Sequence, residues 1–321
     1  MMATSDEFER RTEPHRGELV SFCYRMLGSL HDAEDTVQET YLRAWRGYAQ
    51  FEDRSSIRTW LFRIATNQCL NLLQHSSRRL IPSAVGAPGD PSEIAPSAEL
   101  PWLEPFPDLM FNSAPPDPSL VVVERQTLRL ALVAALQHLP PRQRAALLLR
   151  DVLAWPAADV AQLLDTSTAA INSALQRARA VLAQVAPEEQ DLFEPTEPVQ
   201  RKILDQYAHA FEQADFAVLE ELLADQVRWE MPPIPTWFDN HDTVLGLLRA
   251  KLDPNQGRRL VPISANGQPG FATYHQAPTG EFHAHALQVF TFDHHQIASV
   301  MDFHTPAMFP SFGLPLTLPI L

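Results

Sequence analysis

Residues 28–45, GSLHDAEDTVQETYLRAW, predict one amphipathic helix with two different faces. Ser29 stands three residues before Asp32, so we expect it to cap the start of the helix. Taken alone, the pattern is typical of an ordinary surface helix, and the segments that follow decide its function. The apolar residues recur at helical spacing and predict a buried stripe of Ala33, Val37, Ala44, Trp45 and Tyr48. The polar residues lie on the other side: Asp32, Asp35, Gln38, Glu39, Arg43 and Arg46.

Residues 55–79, SSIRTWLFRIATNQCLNLLQHSSRR, predict a second long helix that Ser55 or Ser56 caps and that Arg78 and Arg79 end. The segment contains no carboxylate, whereas solvated helix faces usually mix both charge signs. Arginine neutralises phosphate, and asparagine and threonine bond to bases, so the pattern favours a helix that faces nucleic acid. Polar residues spaced four apart form one edge: Thr59, Arg63, Asn67, Asn71 and His75. The predicted apolar face comprises Ile57, Trp60, Leu61, Ile64, Ala65, Leu72 and Leu73.

Residues 139–182 predict two helices, a turn at residues 165–167 and a final helix, which is the order of a helix-turn-helix motif. Pro140 and Pro141 stand where the first of these helices would begin. The last helix of such a motif enters the major groove of DNA. Its predicted inward residues are Ile171, Leu175, Ala178 and Leu182, and its predicted outward residues are Thr168, Asn172, Ser173, Gln176, Arg177 and Arg179.

The order of these blocks closely resembles an extracytoplasmic-function sigma factor of bacterial RNA polymerase. The segments that carry the resemblance are DAEDTVQETYLRAW, SSIRTWLFRIATNQCLN, LPPRQRAALLLRDVL and TSTAAINSALQRAR, and together they cover roughly residues 6–184. The resemblance implies two all-α domains, namely sigma-70 region 2 at residues 6–80 and the region 4 helix-turn-helix at residues 126–184. It also implies two partners, core RNA polymerase and promoter DNA, and a protein that is a monomer when free.

The resemblance assigns roles to particular side chains. The first helix would face the clamp helices of the largest polymerase subunit, region 4 would contact the β-flap, and the loop at residues 51–57 would help hold the opened minus-10 strand. The polymerase-binding residues would be Asp35, Gln38, Glu39 and Arg43. The minus-10 residues would be Arg58, Thr59, Arg63, Asn67 and Asn71. The minus-35 residues would be Ser167, Thr168, Asn172, Ser173, Gln176, Arg177 and Arg179.

The charge distribution fits this assignment once the chain is divided. The whole chain has a net charge of -14, which alone argues against a nucleic-acid binder. Residues 126–183, however, carry six basic and three acidic side chains, whereas residues 184–321 carry seven and eighteen. The acid therefore lies outside the predicted DNA-binding modules, and a weak affinity for free DNA is expected.

A proline-rich linker is predicted at residues 81–120, which hold ten of the 28 prolines. Residues 82–100 are expected to be disordered, because proline and small polar residues prevent regular structure. Residues 102–108, WLEPFPD, are aromatic and predict instead a docking segment that buries in a groove. Its regulatory contacts would be made by Trp102, Leu103 and Phe106.

An acidic linker is predicted at residues 187–198, followed by an α+β domain at residues 199–312. Helices first and strands afterwards make a cone-shaped domain plausible, and the segment FEQADFAVLEELLADQVRWEMPP resembles the SnoaL-like, NTF2/ketosteroid-isomerase-type fold. With this domain, the whole chain is similar to the sigma-G and sigma-J type of the family. Helices are predicted at residues 199–213, 216–223 and 243–252, and strands at residues 227–231, 259–266, 270–275, 281–292 and 296–303, the last four in an antiparallel sheet.

Enzymes of the SnoaL-like type use a buried Asp or His as a base, and the sequence offers six weak candidates. An equally open interpretation is a pocket for a small apolar ligand or for the chain's own linker, lined by Trp229, Met231, Trp237 and Phe238. Because fold does not imply function, regulation is favoured over catalysis, and no metal or cofactor is expected. The weak catalytic candidates are Asp239, His241, His283, His285, Asp302 and His304.

Three functions therefore remain open from the residues. The first is a sigma factor that its C-terminal domain modulates in cis. The second is a ligand-sensing helix-turn-helix regulator that binds duplex DNA without polymerase. The third is a SnoaL-type isomerase or hydrolase fused to a DNA-binding module. The family resemblance favours the first, and the lack of a signal peptide or an apolar spanning run predicts a cytoplasmic protein with no membrane partner.

Overall fold

The computed structural model describes residues 5–52, 55–75, 77–110, 127–185 and 197–319. The chain divides into two compact units. The helical unit combines Met1–Arg79 with Leu103–Pro187, and the C-terminal unit combines Leu80–Trp102 with Glu188–Leu321. Most of the predicted acidic linker, residues 187–196, and the second part of the proline-rich linker, residues 111–120, lie outside the described residues.

The first part of the helical unit is a set of four helices. Gly28 ends the second helix in the left-handed conformation, with φ 71°, and its N–H donates to the Tyr24 carbonyl at 2.7 Å. Ser29 then caps the third helix, because its hydroxyl accepts from the Asp32 N–H at 3.1 Å. The helices are α1 Ser5–Thr12, α2 Arg16–Leu27, α3 Leu30–Gly47 and α4 Ile57–Leu73.

The second part of the helical unit contains the helix-turn-helix. Pro141 occupies the first turn of its helix, and Asp165, with φ 48°, makes the turn before the last helix. The predicted inward residues Ile171, Leu175 and Ala178 are buried. The helices are α5 Leu130–Leu136, α6 Pro141–Leu147 with a π-helical turn at Leu148–Val152, α7 Ala157–Leu163 and α8 Thr168–Val185.

Three details of the sequence prediction for α3 and α4 are wrong. Trp45 is 43% exposed and Leu72 is 46% exposed, so neither lies in a buried stripe. The inner face of α4 includes Phe62 and Cys69 instead. The helix also ends at Leu73 rather than after the arginine pair. Apolar residues surround α4 on most sides, and the helices that pack against it decide which of them are buried.

The C-terminal unit is one mixed sheet packed against helices. The sheet order is β2-β1-β6-β5-β4-β3, and β7 pairs with β5. Neighbouring strands are antiparallel except β1 and β6, which are parallel. The helices are α9 Glu197–Gln213, α10 Phe216–Leu222 and α11 His241–Lys251. The strands are β1 Leu223–Glu230, β2 Trp237–Asp239, β3 Arg258–Ala265, β4 Gln268–Gln276, β5 Phe282–Asp293, β6 Gln296–Phe303 and β7 Thr317–Leu318.

The predicted fold class is confirmed: helical domains precede an α+β domain. The predicted inward residues of α9, Ile203, Tyr207, Ala210 and Phe211, are all buried against the sheet. The four strands predicted to form an antiparallel sheet do so as β3 to β6, and β1 joins β6 in parallel. None of the described helices combines the length and the apolar composition that crossing a membrane requires.

The prediction of a disordered segment at residues 82–100 is wrong. This stretch belongs to the same compact unit as the C-terminal domain and is hydrogen-bonded to it through backbone groups. The Gly89 N–H donates to the Trp237 carbonyl at 2.8 Å, and the Ala98 N–H donates to the Pro233 carbonyl at 3.0 Å. Backbone hydrogen bonds of this kind need no regular secondary structure, which is why composition alone did not reveal them.

Candidate functional site

The outward face of α3 combines polar and apolar side chains. Asp35 and Gln38 are exposed and Glu39 is half-buried. Leu42, which is 51% exposed, and Trp45 follow them at helical spacing, so they lie on the same face. Exposed large apolar residues beside a polar stripe mark an interaction surface. The sequence interpretation overlooked Leu42 and placed Trp45 inside.

Arg43 lies beside this outward face and forms an ion pair with Glu39, with 2.6 Å between Nε and Oε1. The pair is exposed and four residues apart, so it adds little stability. It fixes the side chain of Glu39 near the middle of the helix.

The residues predicted to hold the minus-10 strand are either exposed or half-buried. Asn67 and Asn71 are exposed on α4, while Thr59 and Arg63 are half-buried. The Arg58 guanidinium instead forms an ion pair with the Glu18 carboxylate and lies 5.0 Å from the centre of the Phe62 ring. His75 lies beyond the end of α4 and is exposed.

The predicted minus-35 residues lie on the outer face of α8. Ser167 caps this helix, since its hydroxyl accepts from the Ala170 N–H at 3.2 Å. Arg179 is held by Asp151, with 2.8 Å between Nη2 and Oδ1 and 3.1 Å between Nε and Oδ2, and this bond raises the pKa of Arg179. Within the described part of the chain, Arg177 makes no such bond. All seven predicted residues are exposed: Ser167, Thr168, Asn172, Ser173, Gln176, Arg177 and Arg179.

A buried arginine joins the two helical modules. Arg144, on α6, is 3% exposed, and burial lowers its pKa to about 10. Its guanidinium donates to the Met26 carbonyl at the end of α2, to Gln137 Oε1 at 2.7 Å and to the Leu139 carbonyl at 3.2 Å. The two helical modules therefore pack against each other through a charged group whose Nη1 and Nη2 donate to carbonyl oxygens. No sequence pattern singled out this arginine.

The predicted docking segment is buried where it enters the helical unit. Leu103 and Phe106 are 2% and 0% exposed, and the Phe106 ring lies 4.9 Å from the Tyr24 ring. The Glu104 carboxylate accepts from the Leu30 N–H at 2.8 Å and from the Ser29 hydroxyl at 3.0 Å, at the positive end of α3. Trp102, which is 8% exposed, ends the preceding stretch.

That preceding stretch, Leu80–Trp102, is here called the captured segment because the C-terminal domain holds it. The buried carboxylate of Glu230 accepts from the Ser83 N–H at 2.8 Å and from the Ser83 hydroxyl at 3.0 Å. Burial raises the pKa of Glu230, although these hydrogen bonds oppose the rise. Trp237 Nε1 donates to the Gly86 carbonyl at 2.8 Å. Of the four residues expected to line an apolar pocket, Trp237 thus holds the segment, while Trp229, Met231 and Phe238 belong to the hydrophobic core.

A row of polar side chains crosses the sheet of the C-terminal domain. The strand register sets Arg258 opposite His275. The His275 ring stacks on the His285 ring with centroids 3.7 Å apart, and the His285 ring meets the His304 ring edge-on at 4.9 Å. His304 Nε2 lies 3.3 Å from Asp302 Oδ2. We call these five residues the polar row.

The imidazoles of the polar row differ in the direction of their pKa shifts. Burial lowers the pKa of His275 to about 4, helped by His285 and Arg258, and burial also lowers the pKa of His285. Burial acts in the same direction on His304, but the charge of Asp302 and the contact of its carboxylate with the imidazole together outweigh burial and raise the pKa of His304. At neutral pH, His275 and His285 are therefore uncharged.

Of the six weak catalytic candidates, the structure brings together His285, Asp302 and His304. His283 is exposed and lies 4.0 Å from Glu281. His241 lies with its Nε2 2.9 Å from the Glu220 carbonyl, and Asp239 accepts from its neighbour Asn240 at 3.5 Å. In the described parts of the chain, no group of His, Cys, Asp and Glu is arranged to hold a metal ion. Sequence reasoning missed Arg258 and His275, because their approach depends on the pairing of β3 with β4.

Three family models match the chain. Sigma-70 region 2 matches residues 12–79, sigma-70 region 4 matches residues 129–182, and the SnoaL-like domain matches residues 204–300. The chain is 46% identical over 318 residues to the ECF RNA polymerase sigma factor SigG of Mycobacterium tuberculosis, covering 97% of this chain and 85% of that protein.

A second relative is similar to this chain in sequence and in fold. The ECF RNA polymerase sigma factor SigJ of the same organism is 35% identical over 175 residues, covering 54% of this chain and 50% of SigJ. The crystal structure of SigJ superposes with a TM-score of 0.61 at 24% identity and covers 98% of this chain and 100% of that one. The order and fold of the three domains are therefore shared with a solved structure.

Proposed function

Because this chain belongs to the extracytoplasmic-function family of RNA polymerase sigma factors, we propose which of its surfaces meet polymerase and promoter. Sigma factors of this family direct core RNA polymerase to promoters, and the chain acts in transcription initiation. The outward face of α3, with Asp35, Gln38, Glu39 and Leu42, binds the polymerase clamp. Arg43 supports that face through its ion pair with Glu39.

The promoter contacts are assigned to the exposed residues of α4 and α8. Asn67 and Asn71 face the opened minus-10 strand, and Arg63 lies beside them. Arg58 orients α4 through its ion pair with Glu18 and contacts DNA only if that pair breaks. On α8, the minus-35 duplex is read by Asn172, Ser173, Gln176 and Arg177, whose side chains offer the donors and acceptors that base edges require.

The helical unit is too compact for its two modules to reach both promoter elements at once. By their names, the two promoter elements lie about 25 base pairs apart, which is about 85 Å of duplex at about 3.4 Å per pair. A compact unit of about 160 residues has a diameter of about 40 Å. Since Arg144 packs the two modules together within that unit, they must separate before both elements are read at once.

The C-terminal domain controls this separation by holding the chain that connects the modules. The captured segment, Leu80–Trp102, spans up to about 75 Å when fully extended. While Glu230 and Trp237 hold it, that length does not serve to separate the modules. The buried bonds between Glu230 and Ser83 are the observation that carries this proposal. We assign the domain a regulatory role rather than a catalytic one.

Run-off transcription with core polymerase and a cognate promoter tests the proposal. The compared proteins are the full chain, a version ending at Gln184, and the full-length Glu230→Ala variant. Asp225→Ala is the matched control, because Asp225 is an exposed acid on the same strand. We expect the truncated form to initiate most, Glu230→Ala to initiate more than wild type, and Asp225→Ala to equal wild type.

Equal activity of the truncated and full-length forms would reject control in cis while leaving sigma activity intact. Absence of initiation by either form, combined with specific binding of the full-length protein to duplex DNA alone, would reject the polymerase contacts. The ligand-sensing DNA-binding regulator would then be the better description.

A further inference from the structure

The polar row of the C-terminal domain contains a guanidinium edge without an acceptor. Arg258 is 6% exposed. Its Nη1 donates to the Asp253 carbonyl at 3.0 Å and to the Gln256 carbonyl at 3.2 Å. Its Nε and Nη2 are buried and have no hydrogen-bond partner among the described residues. Among the buried arginines of those residues, Arg258 alone leaves two guanidinium nitrogens in this state.

These two nitrogens form one side of the planar guanidinium group. Two parallel N–H bonds from such an edge match the two oxygens of a carboxylate. A buried donor without an acceptor is unfavourable, and a charged one more so. The Nε–Nη2 edge of Arg258 therefore matches a planar anion such as a carboxylate.

The surroundings of Arg258 compensate its charge only in part: burial lowers the pKa of Arg258, and the attraction of the Asp253 carboxylate opposes that change without reversing it. Its nearest row member, His275, is neutral at pH 7, and so is His285 beyond it. Asp302 is the acid of the row, but it is paired with His304 at 3.3 Å. Asp253 contributes a carbonyl oxygen to Arg258, while its own carboxylate bonds to Asn255 at 2.9 Å.

The other end of the row offers an acceptor. Asp302 is 7% exposed, and its Oδ1 is buried without a hydrogen-bond partner among the described residues. Gln288 stands opposite Asp302 in the sheet, and its Oε1 accepts from the Tyr207 hydroxyl at 3.0 Å. A ligand that lies along the row meets a cationic donor edge at one end and a carboxylate oxygen at the other.

The geometry points to a binding site for a small organic monocarboxylic acid, with its carboxylate on the Nε–Nη2 edge of Arg258 and a hydroxyl or amine donating to Asp302 Oδ1. This site is separate from the contacts between the domain and the captured segment, which are made by Glu230, Thr236 and Trp237. Different side chains therefore make the two sets of contacts.

Acid and amide pairs of equal size test the site in the full-length protein. The probes are benzoate with benzamide and, so that size does not decide the result, acetate with acetamide. Binding is measured by titration to about 50 mM, with the Arg258 Nε–H signal followed by ¹H–¹⁵N NMR and assigned by its loss in Arg258→Lys. We expect at least one acid to shift this signal and to bind about tenfold or more tightly than its amide.

Three variants separate the guanidinium edge from charge and folding. Arg258→Gln removes the charge, and Arg258→Lys keeps the charge but lacks the planar edge, so both should weaken acid binding about tenfold or more. Arg259→Gln is the matched control, because Arg259 stacks on Phe282 at 4.4 Å and projects to the other face of the strand. It should bind the acid within about twofold of wild type.

Two results would overturn the site. One is an Arg258 signal that neither acid shifts over the whole titration. The other is an acid that binds no better than its amide, or that binds Arg258→Lys as tightly as wild type. Because the preference of the wild-type protein for acid over amide is measured without any substitution, misfolding of a variant does not decide the outcome.

Discussion

In the helical unit the outward faces of α3 and α8 carry exposed charged side chains, whereas in the C-terminal unit one charged side chain on each of β1, β3 and β6 is buried. Asp35 and Arg177 are exposed, but Glu230, Arg258 and Asp302 are 3%, 6% and 7% exposed. An exposed residue can contact a large partner without reorganising its own domain. A buried charge must be matched inside the domain or by a small ligand that enters it.

This contrast separates two kinds of experimental result. Substitutions on the exposed faces should change binding to polymerase or DNA and leave stability unchanged, because surface changes move stability by no more than about 0.5 kcal/mol. Substitutions at the buried charges should change stability and its pH dependence. Arg144, a buried charge in the helical unit, is an exception to this contrast.

The largest effect is expected for Asp35→Arg on the outward face of α3. Reversing the charge at the centre of a binding face sets like charges against each other and costs several kcal/mol. We expect binding to core polymerase to weaken by about 3–4 kcal/mol, or several hundredfold, with the unfolding free energy unchanged. Glu9→Arg, an equal change on exposed α1, should bind normally. A competition assay against wild type measures both, and near-normal binding of Asp35→Arg would contradict the clamp assignment.

Arg144 is the exception, a buried charge inside the helical unit. Arg144→Ala leaves the Met26 and Leu139 carbonyls without their donor, at a cost of about 2–3 kcal/mol. We expect a lower unfolding free energy by chemical denaturation and a larger radius of gyration by X-ray scattering, because the modules are then less firmly joined. Arg142→Ala is the control, since exposed Arg142 bonds to the Leu164 carbonyl within the helix-turn-helix. An unchanged radius for Arg144→Ala would show that other contacts join the modules.

Arg177 and Arg179 compare two arginines on one exposed helix. Arg177→Ala should remove a DNA contact and weaken promoter binding by about 2 kcal/mol, so that promoter-dependent transcription falls roughly thirtyfold. Arg179→Ala should reduce it less, because Arg179 must first leave Asp151. Both variants should bind core RNA polymerase as tightly as wild type. Equal losses for the two variants would mean that the ion pair with Asp151 opens on DNA at little cost.

The surface faces could be predicted from sequence because each lies on one helix. Ser29, Ala33 and Val37 follow from local spacing alone, and the structure confirms the cap and the buried positions. The errors at Trp45 and Leu72 arose where apolar residues stand on more than one side of a helix. Spacing then leaves several orientations open, and only the packing of neighbouring helices selects one.

The polar row could not be predicted in the same way. Its members come from β3, β4 and β5 and from the end of β6, so their approach depends on the strand register. A register irregularity falls where Thr273 pairs with Ala286 and Tyr274 with Ala284, which makes His285 the extra residue of a bulge. A bulge changes which residues share a face, and local alternation in sequence gives no sign of it. The captured segment escaped prediction for a related reason, since its partners are distant backbone groups.

The smallest effect concerns the pH dependence of the C-terminal domain. The pKa of His275 is about 4 when folded and 6.5 for the ordinary side chain, so the unfolded chain binds more protons between these values. Stability from neutral His275 is therefore complete above pH 6.5 and is lost as the pH falls towards 4. Allowing for partial exposure, we expect wild type to lose about 1 kcal/mol more than His275→Gln between pH 7 and pH 5.

Denaturant unfolding of the full chain at both pH values measures this difference. The charged and titratable neighbours of His275 also shift its pKa. His285, Arg258 and His304 favour the neutral form of His275, while Asp302 opposes them. His304 itself acts in the reverse direction, since its raised pKa gives stability that is lost as the pH rises. His283→Gln, at the exposed position opposite His275, should keep the wild-type dependence. If His275→Gln also keeps it, burial of neutral His275 does not govern the acid response, and the contrast between exposed and buried charges would not extend to this histidine.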